Sequence, residues 1–284
     1  MSSEIDARGK TVLVTGATDG LGRALAHDLG AAGATVLIHG RDSERIRHTQ
    51  EEIARATGSD PLRSYCADFS SLADVRRMAQ EVLARESRLD VLVNNAGIGT
   101  SVPGGGRRML SADGHELRFA VNYLAGYLLT RQLLGLLTAS APARIVNVSS
   151  AGQTAIDFDD VMLERDYSGV RAYCQSKLAQ IIFTFTLANE LEPSSVTATC
   201  LHPATYMPTK IVASPVSTLE EGVAATARLA ANPALHEVTG RYFSGTRERQ
   251  ADPQAYDLSA RRELEEISGA LIDVRGQGVE PPHE

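Results

Sequence analysis

Tyr173 and Lys177, in the stretch AYCQSKLAQ, are four residues apart and are of types that can exchange a proton. At that spacing on a helix they share one face. A phenol with a pKa near 10 is a poor donor at neutral pH, and an adjacent cation favours the phenolate and lowers that pKa. Lysine is scarce in this chain: Lys10, Lys177 and Lys210 stand against 25 arginines. A compact ammonium is a point charge that a planar guanidinium does not replace, so a chain that writes arginine elsewhere has a reason to keep lysine at 177. The plain alternative is a solvated pair on an amphipathic helix. Tyr206 and Lys210 repeat the spacing but enclose Pro208, which breaks a helix and removes the shared face.

Other polar residues close apolar runs. Ser149 and Ser150 end ARIVNVSS, Asn94-Asn95-Ala96-Gly97 ends another run, and Asn122 interrupts FAVNYLAGY. Side chains alternate along a strand, so Ser149 and Ser150 point to opposite faces and only one hydroxyl can meet a reacting oxygen. Ser150, further along, is the candidate, and Ser149 is expected to bond backbone behind it. Read alone, Asn122 also fits a buried amide bonded to main chain.

A third group is built from glycine. In TVLVTGATDGLGRAL, Gly16, Gly20 and Gly22 stand where a β-branched run gives way to Leu21, Ala24, Leu25 and Leu29 at helical spacing. They clear side chains above a helix N-terminus, where free N–H groups and the helix dipole favour an anion. The alternative is a mere tight turn. Walker A is excluded because no lysine follows, and G-x-G-x-x-G is excluded because here the wide gap comes first.

The elements that position these groups alternate. Strand patterns at Thr11 to Val14, Thr35 to Ile38, Leu62 to Cys66, Leu89 to Val93, Arg144 to Ser149 and Val196 to Leu201 are separated by helical patterns. The helices run from Leu21, from Ser43 to about Thr57, from Ser71, over His115 to Leu137 and over Arg171 to Leu191, with another near Leu219. Such alternation predicts right-handed crossovers and a doubly wound parallel sheet in a single α/β domain. Ligands bind beyond the carboxyl ends of such strands, where all three groups lie.

Bulk properties narrow the function. The chain has 284 residues, 43% of them hydrophobic, and a net charge of −7 with both signs interspersed, which argues against nucleic acid. One domain over 10–275 is expected, with flexible tails at 1–9 and 276–284. Charge-free stretches such as Phe119 to Thr130 fall short of the roughly 18–20 apolar residues that span a bilayer, and no signal pattern precedes the first strand; a cytoplasmic protein is expected. Cys66, Cys174 and Cys200 are isolated, read as buried thiols, and no metal site is expected. His202 reads as a strand-end residue.

Taken in order, T-G-x-x-x-G-x-G, N-N-A-G, Asn122, Ser150 and Tyr-x-x-x-Lys resemble the short-chain dehydrogenase/reductase family over about residues 10 to 245. The stretch YSGVRAYCQSKLAQIIFT and the long segment between Ser150 and Tyr173 are similar to its retinol-dehydrogenase-like branch. The resemblance implies a Rossmann fold and a nicotinamide-dependent oxidoreductase interconverting a carbonyl and an alcohol on a small, lipophilic substrate. It implies that Tyr173 exchanges the proton, that Ser150 bonds the reacting oxygen, and that Lys177 holds the nicotinamide ribose while tuning Tyr173. Asn122 would anchor a water relay. Gly16, Gly20 and Gly22 would cradle the pyrophosphate, Asp68 would meet the adenine, and Asn95 would line the adenosine ribose; Thr18, Asp19, Leu21, Phe69, Ala96, Gly97, Pro203 and Thr205 complete the expected cofactor-binding set.

Gly40 occupies the place where NAD-dependent members carry an acid, and Arg41 follows it, ready for a 2′-phosphate. NADP is therefore expected over NAD, although Asp19 adds no basic support. Asp42 is the counter-candidate and is expected to cap the next helix instead. In LHPATYMPTK, Ala204 replaces the usual glycine, which leaves Thr205 or Thr209 to hold the nicotinamide amide. The loop SVPGGGRRML (101–110) is expected to be a flexible surface segment, and Thr205 to Val216 a mobile lid. A homo-oligomer is compatible with the sequence. Two rival readings remain: a catalytically silent cofactor-sensing or scaffold protein on the same fold, and a polyketide-type ketoreductase. A silent relative has no chemical reason to keep Ser150, Tyr173 and Lys177 together.

Overall fold

Continuous β-branched runs form strands because a parallel sheet is buried on both faces. In the computed structural model, which describes residues 5–58, 62–100, 103–192, 194–205, 207 and 216–273, these runs make one eight-stranded sheet. Its strands are β1 (Thr11–Val14), β2 (Thr35–Gly40), β3 (Ser64–Cys66), β4 (Val91–Asn94), β5 (Ala143–Val148), β6 (Val196–His202), β7 (Arg241–Ser244) and β8 (Arg247–Glu248). The order is β3-β2-β1-β4-β5-β6-β7-β8. All neighbours are parallel except β7 and β8. The order reverses between β1 and β4, which opens a crevice at their carboxyl ends.

Alternation along each strand divides the core. Val12 and Val14 face a layer with Leu25, Leu29 and Leu229, whereas Leu13 joins Leu72, Leu128 and Ile182 on the other side. The helices are α1 (Gly20–Ala31), α2 (Ser43–Thr57), α3 (Leu72–Arg85), the short α4 (Leu117–Phe119), α5 (Ala125–Ala139), α6 (Gly169–Glu190), α7 (Leu219–Ala231) and α8 (Leu258–Asp273). Their starts are chemically marked. Asp19, Asp42, Ser71, Ser168 and Thr218 each accept a backbone N–H of the helix they cap, as small oxygen-bearing side chains do.

Several expectations change. Residues 5–9 are not a loose tail: Asp6 N donates to Ala231 O, Gly9 N to Gly33 O, and Ala7 is fully buried. The segment 276–284 lies outside the described residues. The pattern over His115 to Leu137 is interrupted by a π-helical turn, Ala120–Leu124, between α4 and α5. Within 103–110 the loop is anchored, because Arg118 donates to Pro103 O, Arg108 donates to Met162 O, and Leu110 bridges Glu116. Cys66 is exposed and Cys174 half-buried, leaving Cys200 as the buried thiol; β3 lies at the sheet edge, where an outward side chain meets water. Residues 208–215, with Thr209, Lys210 and most of the expected lid, lie outside the described residues, as does Tyr206. No helix among the described residues is long and apolar enough to cross a membrane.

Candidate active site

The glycine turn is fixed by close approach. Gly16 has φ +66° and Gly20 φ +49°, a left-handed region where a Cβ is costly. Gly22 is helical, but a Cβ there would fall 2.3 Å from Gly16 O and 2.4 Å from Asn95 Nδ2. Thr15 and Asn95 bolt the turn to β4. Thr15 Oγ1 accepts from Asn95 N and Ala96 N, and Asn95 Nδ2 donates to Thr15 O at 2.8 Å and Gly16 O at 3.3 Å. The Asn95 amide nitrogen is therefore spent on the turn, which leaves Oδ1 as the side-chain atom that could meet a ribose hydroxyl. Leu21 packs its side chain into the core, so only its backbone faces the crevice.

His39 braces the same turn. Its Nδ1 accepts from Gly16 N at 3.1 Å and its Nε2 lies 3.1 Å from Ala67 O. Burial pushes its pKa down to about 4, so the ring is neutral and its one proton sits on Nε2, facing the carbonyl. Phe69 stacks on this imidazole with centroids 4.2 Å apart. The Phe69 ring is buried against His39, which leaves its backbone as the part that can meet a cofactor. Asp68 Oδ1 caps Ser70 N at 2.9 Å.

At the end of β2, a Cβ on Gly40 would stand 2.6 Å from Thr18 Cγ2. Arg41 is exposed. Asp42 caps α2 by accepting from Glu44 N and Arg45 N. Asp19 Oδ2 accepts from Arg45 at 2.8 Å, which offsets its negative charge beside the turn.

The second cluster stands over β5 and α6. Ser149 Oγ donates to Lys177 O at 2.7 Å, behind the site, whereas Ser150 Oγ accepts from Gly152 N at 3.0 Å. Tyr242 Oη and Gln153 Nε2 both donate to Ser150 O and hold that residue in place. A Cβ on Gly152 would lie 3.5 Å from Ser150 Oγ and 3.8 Å from Tyr173 Cε1, so hydroxyl and phenol ring flank one small gap. Lys177 is buried, with Nζ 5.8 Å from the centre of the Tyr173 ring. Nζ donates to Val148 O and Gln180 Oε1, each at 2.9 Å. Burial alone brings its pKa down to about 7.

Asn122 sits in the π turn. Its Oδ1 accepts from Ile98 N at 2.7 Å, and its Nδ2 donates to Ile98 O and to Ser176 Oγ, which in turn donates to Tyr173 O. It thus links the loop after β4 to α6. A Cβ on Gly97 would lie 3.2 Å from Asn122 Oδ1 and 3.6 Å from Lys177 Nζ. Pro203 is buried, and Thr205 Oγ1 lies 3.1 Å from His202 Nε2.

Sequence reasoning missed a buried ionic cluster. Arg118 is fully buried and donates to Gly99 O at 2.8 Å, Thr100 O at 2.9 Å and Tyr167 Oη at 2.7 Å; Tyr167 Oη donates to Glu116 Oε1. It fixes the loop after β4 against the start of α6. Gly169 is required there, since a Cβ would fall 2.2 Å from Thr100 O. His39, Gln180 and Arg45 were also missed. Of these only Gln180 carried a readable signal, its three-residue spacing from Lys177.

The glycine turn at the topological switch, with a buried lysine beside a tyrosine and a serine at the next strand end, defines a nucleotide-binding oxidoreductase site. The family model for short chain dehydrogenases matches residues 10–220. The chain belongs to this family. Among its relatives are mouse retinol dehydrogenase 14, 38% identical over 94% of this chain and 86% of the relative, and human retinol dehydrogenase 13, 35% identical over 95% and 87%; these place the chain in the retinol-dehydrogenase-like branch. Similar solved structures include a protein from Mycobacterium paratuberculosis (TM-score 0.73, 29% identity, 95% of this chain and 96% of that one). Another is an NADP complex of Pseudomonas aeruginosa RhlG (TM-score 0.68, 29% identity, 86% and 97%).

Proposed function

We propose that this chain interconverts a carbonyl and an alcohol on a small, lipophilic molecule, with NADP(H) as cofactor and Tyr173 as proton donor or acceptor. The observation that carries the reading is the convergence of Ser150 Oγ and the Tyr173 ring on the gap beside Gly152, with Lys177 Nζ 5.8 Å from that ring. The glycine turn, packed so closely that a Cβ at 16 would fall 2.9 Å from Ala96 Cα and one at 22 would fall 2.3 Å from Gly16 O, brings bare backbone to the start of α1, where a pyrophosphate fits. The nicotinamide would supply or take the hydride.

The remaining work falls to this chain. In the reducing direction Tyr173 gives its phenolic proton to the substrate oxygen, and Ser150 donates a hydrogen bond to that oxygen. The ammonium of Lys177 lowers the cost of the phenolate left behind. NADP is favoured by Gly40, whose missing Cβ makes room for Thr18, by exposed Arg41, and by Arg45 offsetting Asp19. A lipophilic substrate is favoured by exposed Val170 in the first turn of α6, one turn before Tyr173, and by exposed Met109 and Leu110 in the 104–110 loop, whose Gly106 approaches Gly169. The names of the retinol dehydrogenase relatives point the same way.

The test is loss of NADPH absorbance across a panel of lipophilic aldehydes and ketones. Turnover of several of them supports the reading. Tight NADPH binding with no turnover of any member would support the silent relative instead.

A further inference from the structure

Lys177 carries three N–H donors, and two of them are engaged by its own protein. One goes to Val148 O at the end of β5 and the other to Gln180 Oε1, one turn along α6. At most one remains for a ligand in the crevice. Gln180 is itself buried, and its backbone oxygen accepts from Thr184 Oγ1, so its turn is tied down on the side away from the crevice.

The geometry points to Gln180 as the positioning residue of Lys177: its neutral side-chain oxygen holds the ammonium on the β5 side and decides how strongly the protein keeps that charge. The groups facing Nζ are few. They are the phenol of Tyr173 on α6, the Val148 carbonyl on β5 and the Asn122 amide of the π turn, which flanks Gly97 together with Nζ. No carboxylate bears on it among the described residues, and burial is the cause of its lowered pKa. An amide oxygen offers partial negative charge without a full counter-ion, so the lysine stays responsive near neutrality. A carboxylate would lock it as an ammonium, and an apolar side chain would leave it with Val148 O alone.

The inference builds on the role proposed for Lys177, but its test needs neither cofactor nor substrate. With only three lysines in the chain, ε-13C-lysine labelling gives three NMR signals, and Lys10→Arg and Lys210→Arg assign the third to Lys177. The signal is titrated in wild type, Gln180→Glu and Gln180→Met, each checked for wild-type circular dichroism. Gln180→Glu should raise the Lys177 pKa by about one unit or more, since an opposite charge within a few ångström shifts a pKa by 1–3 units, and Gln180→Met should lower it by about one unit. If Gln180→Glu fails to fold, the near-isosteric Gln180→Met carries the test. No shift, or a shift of the wrong sign, overturns the proposal. The alkaline limb of kcat in the reducing direction should move with the NMR values, whereas a merely structural Gln180 would lower kcat without moving that limb. Expected shifts in a protein that turns over no carbonyl would leave this inference standing and remove the reading of the enzyme.

Discussion

The two halves of the crevice are built differently. Around the glycine turn the bracing side chains are engaged inside the protein: Thr15 and Asn95 bolt β1 to β4, and His39 ties Gly16 to Ala67. Over β5 and α6 the groups are held from behind and keep capacity in front. Ser150 Oγ accepts from Gly152 while its own hydrogen is left to donate, and Lys177 retains up to one N–H. The first half presents a fixed backbone surface, suited to an anion of constant shape. The second keeps donor capacity on Ser150 and Lys177, as the proposed reaction requires. Mutations should therefore separate binding from turnover.

The largest separation is expected for Tyr173→Phe, which removes the phenolic hydroxyl and keeps the ring. Turnover should fall by about 10²–10⁴-fold, with NADPH affinity by fluorescence titration nearly unchanged; retention of more than about a tenth of the activity would place the donor elsewhere. Next is the serine pair. Ser150→Ala should lose about 10²–10³-fold in kcat, and Ser149→Ala, whose hydroxyl serves Lys177 O, less than about tenfold. Reversed losses would mean that the wrong face of β5 has been assigned to the reaction.

Lys177→Met sharpens the comparison through stability. The pKa of Lys177, 10.5 when unfolded, is lowered to about 7 by burial, so the folded state binds fewer protons between these values. The burial cost is complete below pH 7 and is relieved as pH rises toward 10.5. Relative to wild type, Lys177→Met should therefore gain stability at pH 6 and lose roughly 3 kcal/mol of that advantage by pH 9, at about 1.4 kcal/mol per pKa unit. Denaturant melts at the two pH values check this, and an equal advantage at both would contradict a lowered pKa. The smallest effect belongs to the binding half. Arg41→Gln should cut the preference for NADPH over NADH by about 10- to 100-fold, the worth of one or two charged hydrogen bonds. An unchanged ratio of kcat/KM values would assign selectivity to another residue.

In the binding half the backbone was legible in sequence, whereas the bracing side chains of His39 and Arg45 were not. Its constraints are main-chain constraints, and glycine at 16, 20 and 22 or a cap at Asp42 records them one residue at a time. The π turn at Asn122 left no such record, because a run of apolar residues reads the same at either helical period. Arg118 escaped because its partners, Gly99 O, Thr100 O and Tyr167 Oη, are distant in sequence or belong to the main chain. The edge strand β8 has only two residues, and α8 buries Ala260, Leu264 and Ser268 behind a charged exterior, so neither stood out from its surroundings. Ser149 and Ser150 were separable because strand alternation alone assigns them to opposite faces.

The clasp made by Arg118 has a consequence for how this family member can change. Its guanidinium reads carbonyl oxygens of Gly99, Thr100 and Pro103, and a carbonyl is the same whatever side chain follows. Substitutions at Thr100 can alter the chemistry of the wall beside α6 while the wall stays where it is. A library built at that position would vary this surface at little structural risk, provided position 118 is left untouched.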